Sequence, residues 1–235
     1  MKENSQYDVP PDPWHELERD VVACRACPRL VAWREEVARV KRRAYRDQDY
    51  WGKPVPGFGD RNARILILGL APGAHGSNRT GRMFTGDSSG VTLFGALHRT
   101  GFANQPDALS RDDGLELSGV FITAVGRCAP PRNRPTQAEL AACRPFLVRE
   151  IALLTRLEVV LVLGRVAFDG YRRVLRESGL DIPKARFIHG GEYALPGPIP
   201  RLVASYHPSR QNTQTGRLTL EMFDAIFAGL ADAPS

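Results

Sequence analysis

The chain has 235 residues, 43% hydrophobic and 25% charged, with 32 Lys and Arg against 26 Asp and Glu for a net charge of +6. That composition fits one compact domain with a substantial core and excludes a chain too polar to fold. No apolar run reaches the roughly 18 residues of a membrane-spanning helix, and the basic excess points to a polyanionic partner rather than a membrane.

Residues 1–13, with Pro10, Pro11 and Pro13, read as a disordered tail, followed by a single domain over 14–230 and a flexible end at 231–235. Residues 1–20 contain no apolar segment of the kind that directs secretion, so a reducing, cytoplasmic compartment is expected, where structural disulfides are rare. The four cysteines are then free or ligated. Cys24 and Cys27 form a C-x-x-C, in which two thiolates three positions apart converge on one metal or cluster edge; Cys128 and Cys143 lie far downstream. Pro28, Pro130 and Pro131 stiffen the backbone beside them. The alternative is unrelated buried cysteines acting as small hydrophobes. Structural zinc sites usually draw on paired knuckles, and one knuckle with two distant thiolates suits a 4Fe-4S cluster better, although spacing alone leaves zinc open. Two basic patches follow. Residues 39–46 carry five basic side chains and no acidic one, which on their own could be a solvated helix face, and residues 127–134 add Arg127, Arg132 and Arg134.

Four continuous apolar runs, 65–70, 120–125, 159–163 and 202–206, are read as strands buried on both faces and therefore parallel. Helical patterns over 90–99, 136–155 and 165–178 alternate with them. The fold class is α/β: a three-layer α/β/α sandwich with a central four-stranded parallel sheet, whose ligand crevice lies beyond the carboxyl ends of the strands. Unusual residues do follow the strands. After the first comes a 22-residue segment, 69–90, with five glycines before its last residue and neither a Walker A ending nor a dinucleotide fingerprint. Its one carboxylate, Asp87, stands just ahead of a helix, so capping and catalysis compete for it. After the last strand comes His207-Pro208-Ser209-Arg210-Gln211-Asn212-Thr213, a histidine suited to a developing anion followed by side chains suited to phosphates and base edges.

Together, Gly69-Leu70-Ala71-Pro72-Gly73, Phe84-Thr85-Gly86-Asp87, the C-x-x-C with two later cysteines, and His207-Pro208-Ser209 resemble the iron-sulfur uracil-DNA glycosylases, and within them the family 5, type B branch. The likeness runs from Cys24 to about Phe227. It implies that Cys24, Cys27, Cys128 and Cys143 hold a structural 4Fe-4S cluster, that Phe84 stacks on a flipped base, and that Gly69, Ala71, Pro72, Gly73, His75 and Asn133 surround that base. It also implies that Asp87 sits beside the anomeric carbon and His207 on the base carbonyl. Ser209, Arg210, Gln211, Asn212 and Thr213 would then form a wedge loop in the DNA, with Arg132 and Arg134 on its backbone. Leu70 replaces an acidic residue of the type A pattern and Ala124 a pocket asparagine, so a broader range of deaminated bases, including hypoxanthine, is expected. The expected partner is double- or single-stranded DNA carrying such bases, bound by a monomer. An iron-sulfur electron carrier would need the cysteines without the glycine loop, and a non-catalytic nucleic-acid binder would tolerate loss of Asp87.

Overall fold

The four apolar runs form the centre of one six-stranded sheet in the computed structural model, which describes residues 12–231. The strands β1 (Phe58–Gly59), β2 (Ile65–Gly69), β3 (Val120–Ala124), β4 (Val159–Leu163), β5 (Gly191–Tyr193) and β6 (Arg201–Ser205) lie in the order β1-β3-β2-β4-β6-β5. The inner four are parallel, with Ile67 opposite Ile122 on one side and Leu161 on the other, and Leu161 opposite Val203. Both outer strands run antiparallel to their neighbours, so the expected parallel core stands inside a wider, mixed sheet. Two and three residues long and only partly buried, β1 and β5 carry no periodic apolar signal.

Helices α1 (Pro13–Ala23), α2 (Pro28–Val40), α3 (Ser77–Thr80), α4 (Ser88–Arg99), α5 (Gln137–Leu153), α6 (Arg165–Glu177), α7 (Arg210–Gln214) and α8 (Leu220–Ala231) complete the chain. Alternate strand residues face opposite layers. Ile65, Ile67, Ile122 and Leu161 pack with Phe94 and Leu97 of α4 and Phe223 and Phe227 of α8. Leu66, Leu68, Val160 and Val162 pack with Leu147 of α5 and Phe168, Tyr171 and Val174 of α6. Each such side chain, fully buried, contributes about 1.5–3 kcal/mol, which fixes the register that aims the strand ends at one edge. Among the described residues, no helix is long and apolar enough to cross a membrane.

Local chemistry sets the helix starts. Thr136 and Glu139 form a reciprocal capping box at α5, and Glu139 also takes both ends of the Arg29 guanidinium, tying α2 to α5. Asp12 caps α1 at the Trp14 N–H and Pro13 opens that helix, while Ala231 closes α8. The two expected tails therefore give up residues 12, 13 and 231 to structure, and their remainder lies outside the described residues. The basic run is not a helix face either. α2 ends at Val40, Lys41 turns with φ 58°, and the chain continues through a short 3-10 turn at Arg43–Tyr45. Arg127 departs from the second basic patch altogether: only 1% exposed, it is held by Glu150 of α5 and by Thr123.

Candidate active site

At the carboxyl ends of the inner strands the chain opens into a cavity of about 330 Å³. Leu70, Ala71, Phe84, Asp87, Ala124 and His207 line it, with Asn133, Ser209 and Gln211 also on its wall. Two other clefts match it in volume, about 320 and 340 Å³, and part of their charge is taken up by pairs such as Arg82 with Asp113 and Arg144 with Glu177.

Phe84 is held in the left-handed backbone region, φ 54°, at a cost of about 1–3 kcal/mol for a residue of this kind. Its ring lies over Gly69, where a Cβ would come within 2.7 Å of Cζ. Beside it stands the His207 imidazole, with centroids 5.8 Å apart and planes 28° apart. The two rings make one wall flat.

Asp87 divides its oxygens between two tasks. Oδ1 accepts the N–H groups of Ser89 (3.0 Å) and Gly90 (3.2 Å) and so caps α4. Oδ2 lies against Gly73 and Gly76: a Cβ on Gly73 would stand 2.9 Å from it, and one on Gly76 would overlap the carboxylate. Those two glycines are where close approach is required. Burial pushes the Asp87 carboxyl above the usual range, opposed by its two backbone N–H donors and by the Arg79 cation. Capping and a chemical role, rivals in the sequence, are compatible in three dimensions.

His207 follows β6, packed closely enough that burial pulls its pKa down to about 4, although part of the ring faces the cavity. It is a neutral imidazole at pH 7, able to donate a hydrogen bond from one ring nitrogen and accept one at the other without carrying charge. The expected wedge loop is instead a helical turn. Ser209 caps α7 at the Asn212 N–H, Asn212 Nδ2 donates to the His207 carbonyl (2.9 Å), and the Thr213 hydroxyl donates to the Ser209 carbonyl. Asn212 and Thr213 thus brace the His207 segment, while Arg210 and Gln211 remain exposed.

Other expected pocket residues fall less uniformly. Gly69 is the floor beneath Phe84, and Pro72, which has no N–H, leaves Ala71 and Gly73 as the backbone donors of the 71–73 turn. His75 is not on the cavity wall: its Nδ1 is 3.1 Å from the Tyr50 hydroxyl, and burial lowers its pKa. Arg132 and Asn133 are both left-handed and exposed, and Arg134 is exposed with its carbonyl accepting from Arg29. Arg79 was not singled out by sequence, yet it holds the glycine loop together. Its guanidinium donates to the carbonyls of His75 (2.9 Å) and Gly86 (2.9 Å) and to Gln48 (2.6 Å) and lies 4.1 Å over Tyr45, which draws the basic segment against the site. The arginine inside a glycine-rich loop was its only signal.

All four cysteines are free. Cys24 ends α1 and Cys27 caps α2, so the C-x-x-C is the turn between two helices; Cys128 follows β3 and Cys143 lies in α5. Burial pushes the thiols of Cys27 and Cys143 up and that of Cys128 to about 12, and each of these feels the charge of other cysteines of the set, Cys24 included. No three His, Cys, Asp or Glu side chains among the described residues are grouped closely enough to hold one metal ion. Arg34, 2% exposed, donates from Nη1 to Cys128 Sγ (3.2 Å) and from Nη2 to the Cys24 carbonyl (3.3 Å), and its buried Nε has no partner.

Residues 56–231, which include every wall of the cavity, match the family model described as the uracil DNA glycosylase superfamily. This chain belongs to that superfamily. It is 56% identical over 203 residues to a type-5 uracil-DNA glycosylase of Thermus thermophilus, covering 86% of this chain and 90% of the relative. It is 46% identical over 214 residues to a type-5 uracil-DNA glycosylase of Pyrobaculum aerophilum, covering 91% and 90%. A type-4 uracil-DNA glycosylase of the same organism is 32% identical over 163 residues, covering 68% and 74%. At two places the sequence marked, the cavity wall is apolar: Leu70 and Ala124 both line it and neither can hydrogen-bond a base through its side chain.

Proposed function

We infer that this protein is a uracil-DNA glycosylase that hydrolyses the N-glycosidic bond of uracil in DNA, as a hydrolase of base excision repair. We propose further that it accepts hypoxanthine, acts on duplex and single-stranded DNA in the cytoplasm as a monomer, and carries a structural 4Fe-4S cluster. The observation that carries the catalytic assignment is the Oδ2 of Asp87, left over from capping and seated against Gly73 at the cavity.

The target nucleotide must first leave the stack, at a cost of a few kcal/mol that is least for a mismatched base. Phe84 and His207 then offer a flat face for the base. Bond cleavage puts negative charge on the departing base and positive charge on the sugar. The N–H groups of Ala71 and Gly73 and the neutral imidazole of His207 stabilise the former by hydrogen bonding, and Asp87 stabilises the latter and orients the attacking water. Oδ1 stays bound to Ser89 and Gly90 throughout, so the carboxylate is already positioned when charge develops. Leu70 and Ala124 read shape rather than a base edge, which supports acceptance of a purine. No lysine lines the cavity, which favours hydrolysis without Schiff-base strand cleavage.

Four free thiols that sense one another without grouping around a single ion fit a polynuclear iron-sulfur centre held by Cys24, Cys27, Cys128 and Cys143. Buried Arg34 fits it too, because thiolates on such a centre would add negative charge at its Nη1, where the partly exposed Glu35 carboxylate, 3.8 Å from Nη2, does not reach. When bound, the cluster cross-links α1, α2, the segment after β3 and α5, and no step of the reaction uses it.

The test is incubation of purified protein with duplexes bearing one uracil or one hypoxanthine. Strands that break only after alkali support monofunctional excision, and strands that stay intact after alkali overturn the assignment. Excision of uracil alone removes hypoxanthine from the proposal.

A further inference from the structure

The ring of Tyr206 has three neighbours, one of them the tilted ring of Phe187 with centroids 6.0 Å apart. His189 stacks on it with centroids 4.8 Å apart and planes 9° apart, and the guanidinium carbon of Arg217 lies 4.5 Å from its centroid. Tyr206 is further fixed by its own backbone, whose N–H donates to His189 Nδ1 at 3.1 Å, leaving the proton of the neutral imidazole on Nε2.

Arginines of this chain are mostly spent on carboxylates: Arg25, Arg64, Arg99 and Arg149 hold Glu35, Glu158, Asp224 and Asp20. Arg217 is exposed and has no carboxylate or carbonyl acceptor among the described residues. Its position is nevertheless set. It follows α7, whose cap Ser209 lines the cavity, and the next residue, Leu218, is buried with its N–H on the Asn212 carbonyl (3.1 Å). Asn212 in turn holds the His207 carbonyl. One small unit therefore carries both the histidine at the cavity and an unpaired, stacked guanidinium at the carboxyl edge of the sheet.

We propose that Arg217, held over the Tyr206 ring that His189 in turn supports, is a phosphate clamp for the DNA strand that enters this cavity. A guanidinium stacked on an aromatic face loses little further freedom when its planar fork meets two phosphate oxygens. A free cation here, with no acidic partner to displace, is attracted to the backbone without reading sequence. This rests on duplex DNA being the substrate. Binding, however, is measured without excision, so the two ideas fail separately: wild-type protein that does not bind duplex refutes the substrate, whereas variants that bind like wild type refute the clamp.

The experiment is fluorescence anisotropy on a uracil-free duplex over a salt series, with Arg217→Met, Arg217→Lys, Tyr206→Phe and Tyr206→Leu. Arg156→Met serves as a control of equal charge change, at an exposed site just before β4, on the opposite edge of the sheet. Loss of one phosphate contact lowers the slope of log K against log salt by about 0.9, equivalent to about eightfold weaker binding at 0.1 M salt. Arg217→Met is expected to show both changes, Arg217→Lys to keep the slope with weaker binding, Tyr206→Phe to match wild type, and Tyr206→Leu to lose most of what Arg217→Met loses. An unchanged slope in Arg217→Met, or an equal change in Arg156→Met, overturns the clamp. A Tyr206→Leu protein that folds and binds like wild type overturns the stack as its support.

Discussion

Replacing Asp87 with Asn separates the two oxygens of one carboxylate. Asn presents its carbonyl oxygen to the N–H groups of Ser89 and Gly90, 3.0 and 3.2 Å from Oδ1 in the native chain, and caps about as well as Asp. What changes is Oδ2, the charged atom against Gly73 and Gly76. A preorganised group that acts on transition-state charge contributes about 2.7–4 kcal/mol, so excision under single-turnover conditions should fall about 100- to 1000-fold while duplex binding holds. Stability moves the other way. Burial raises the folded-state pKa of Asp87, so its favourable contribution is present below the unfolded carboxylate value and lost as pH rises through the folded one. At neutral pH the ionised native carboxylate is therefore a cost, and the Asn variant should melt at the same temperature or higher. Asp87→Ala serves as the comparison, because it loses the cap as well, about 1 kcal/mol. Excision by the Asn variant equal to that of wild type would refute the reasoning, and so would a lower melting temperature with unchanged chemistry, which would leave Asp87 only a structural role.

The pH profile of single-turnover excision should be flat near neutrality and fall on the acid side as Asp87, raised by burial, is protonated; His207, lowered to about 4, stays neutral until later, and the same limb in Asp87→Asn would exclude Asp87 as its source. Thermal melts should also weaken below about pH 6.5, because buried His207 resists the proton that the unfolded chain takes up, a contribution lost as pH falls toward about 4. Purified protein should be brown with about four irons per chain, and Cys128→Ala should lose iron and solubility before the remaining soluble fraction loses excision, whereas one zinc in a colourless protein rejects the cluster. Glu150→Ala strands Arg127 in the interior and should cost about 3–5 kcal/mol in chemical denaturation; a change under about 1 kcal/mol would mean that the buried pair is not what holds β3 to α5.

Local sequence determined the parts of this protein that local physics controls. Uninterrupted apolar runs such as Ile65–Gly69 and Val159–Leu163, five residues long and bounded by turn residues, read as strands buried on both faces, and a capping carboxylate ahead of a helix is visible at Asp87 whatever surrounds it. Those features also place the chemistry, because parallel strands put their carboxyl ends on one edge. Pairing and burial, which depend on residues distant in the chain, decided the rest. Phe58–Gly59 is a strand only because Phe121 and Ile122 lie beside it. Arg127 looked like part of a basic patch, and Glu150, 23 positions away, makes it interior. That the Asn212 side chain braces the His207 carbonyl is equally invisible in the sequence, because the two come within reach only once the chain turns into α7. Even the competition over Asp87 was an artefact of one dimension: a sequence offers one residue for one role, whereas a folded carboxylate has two oxygens pointing to different neighbours.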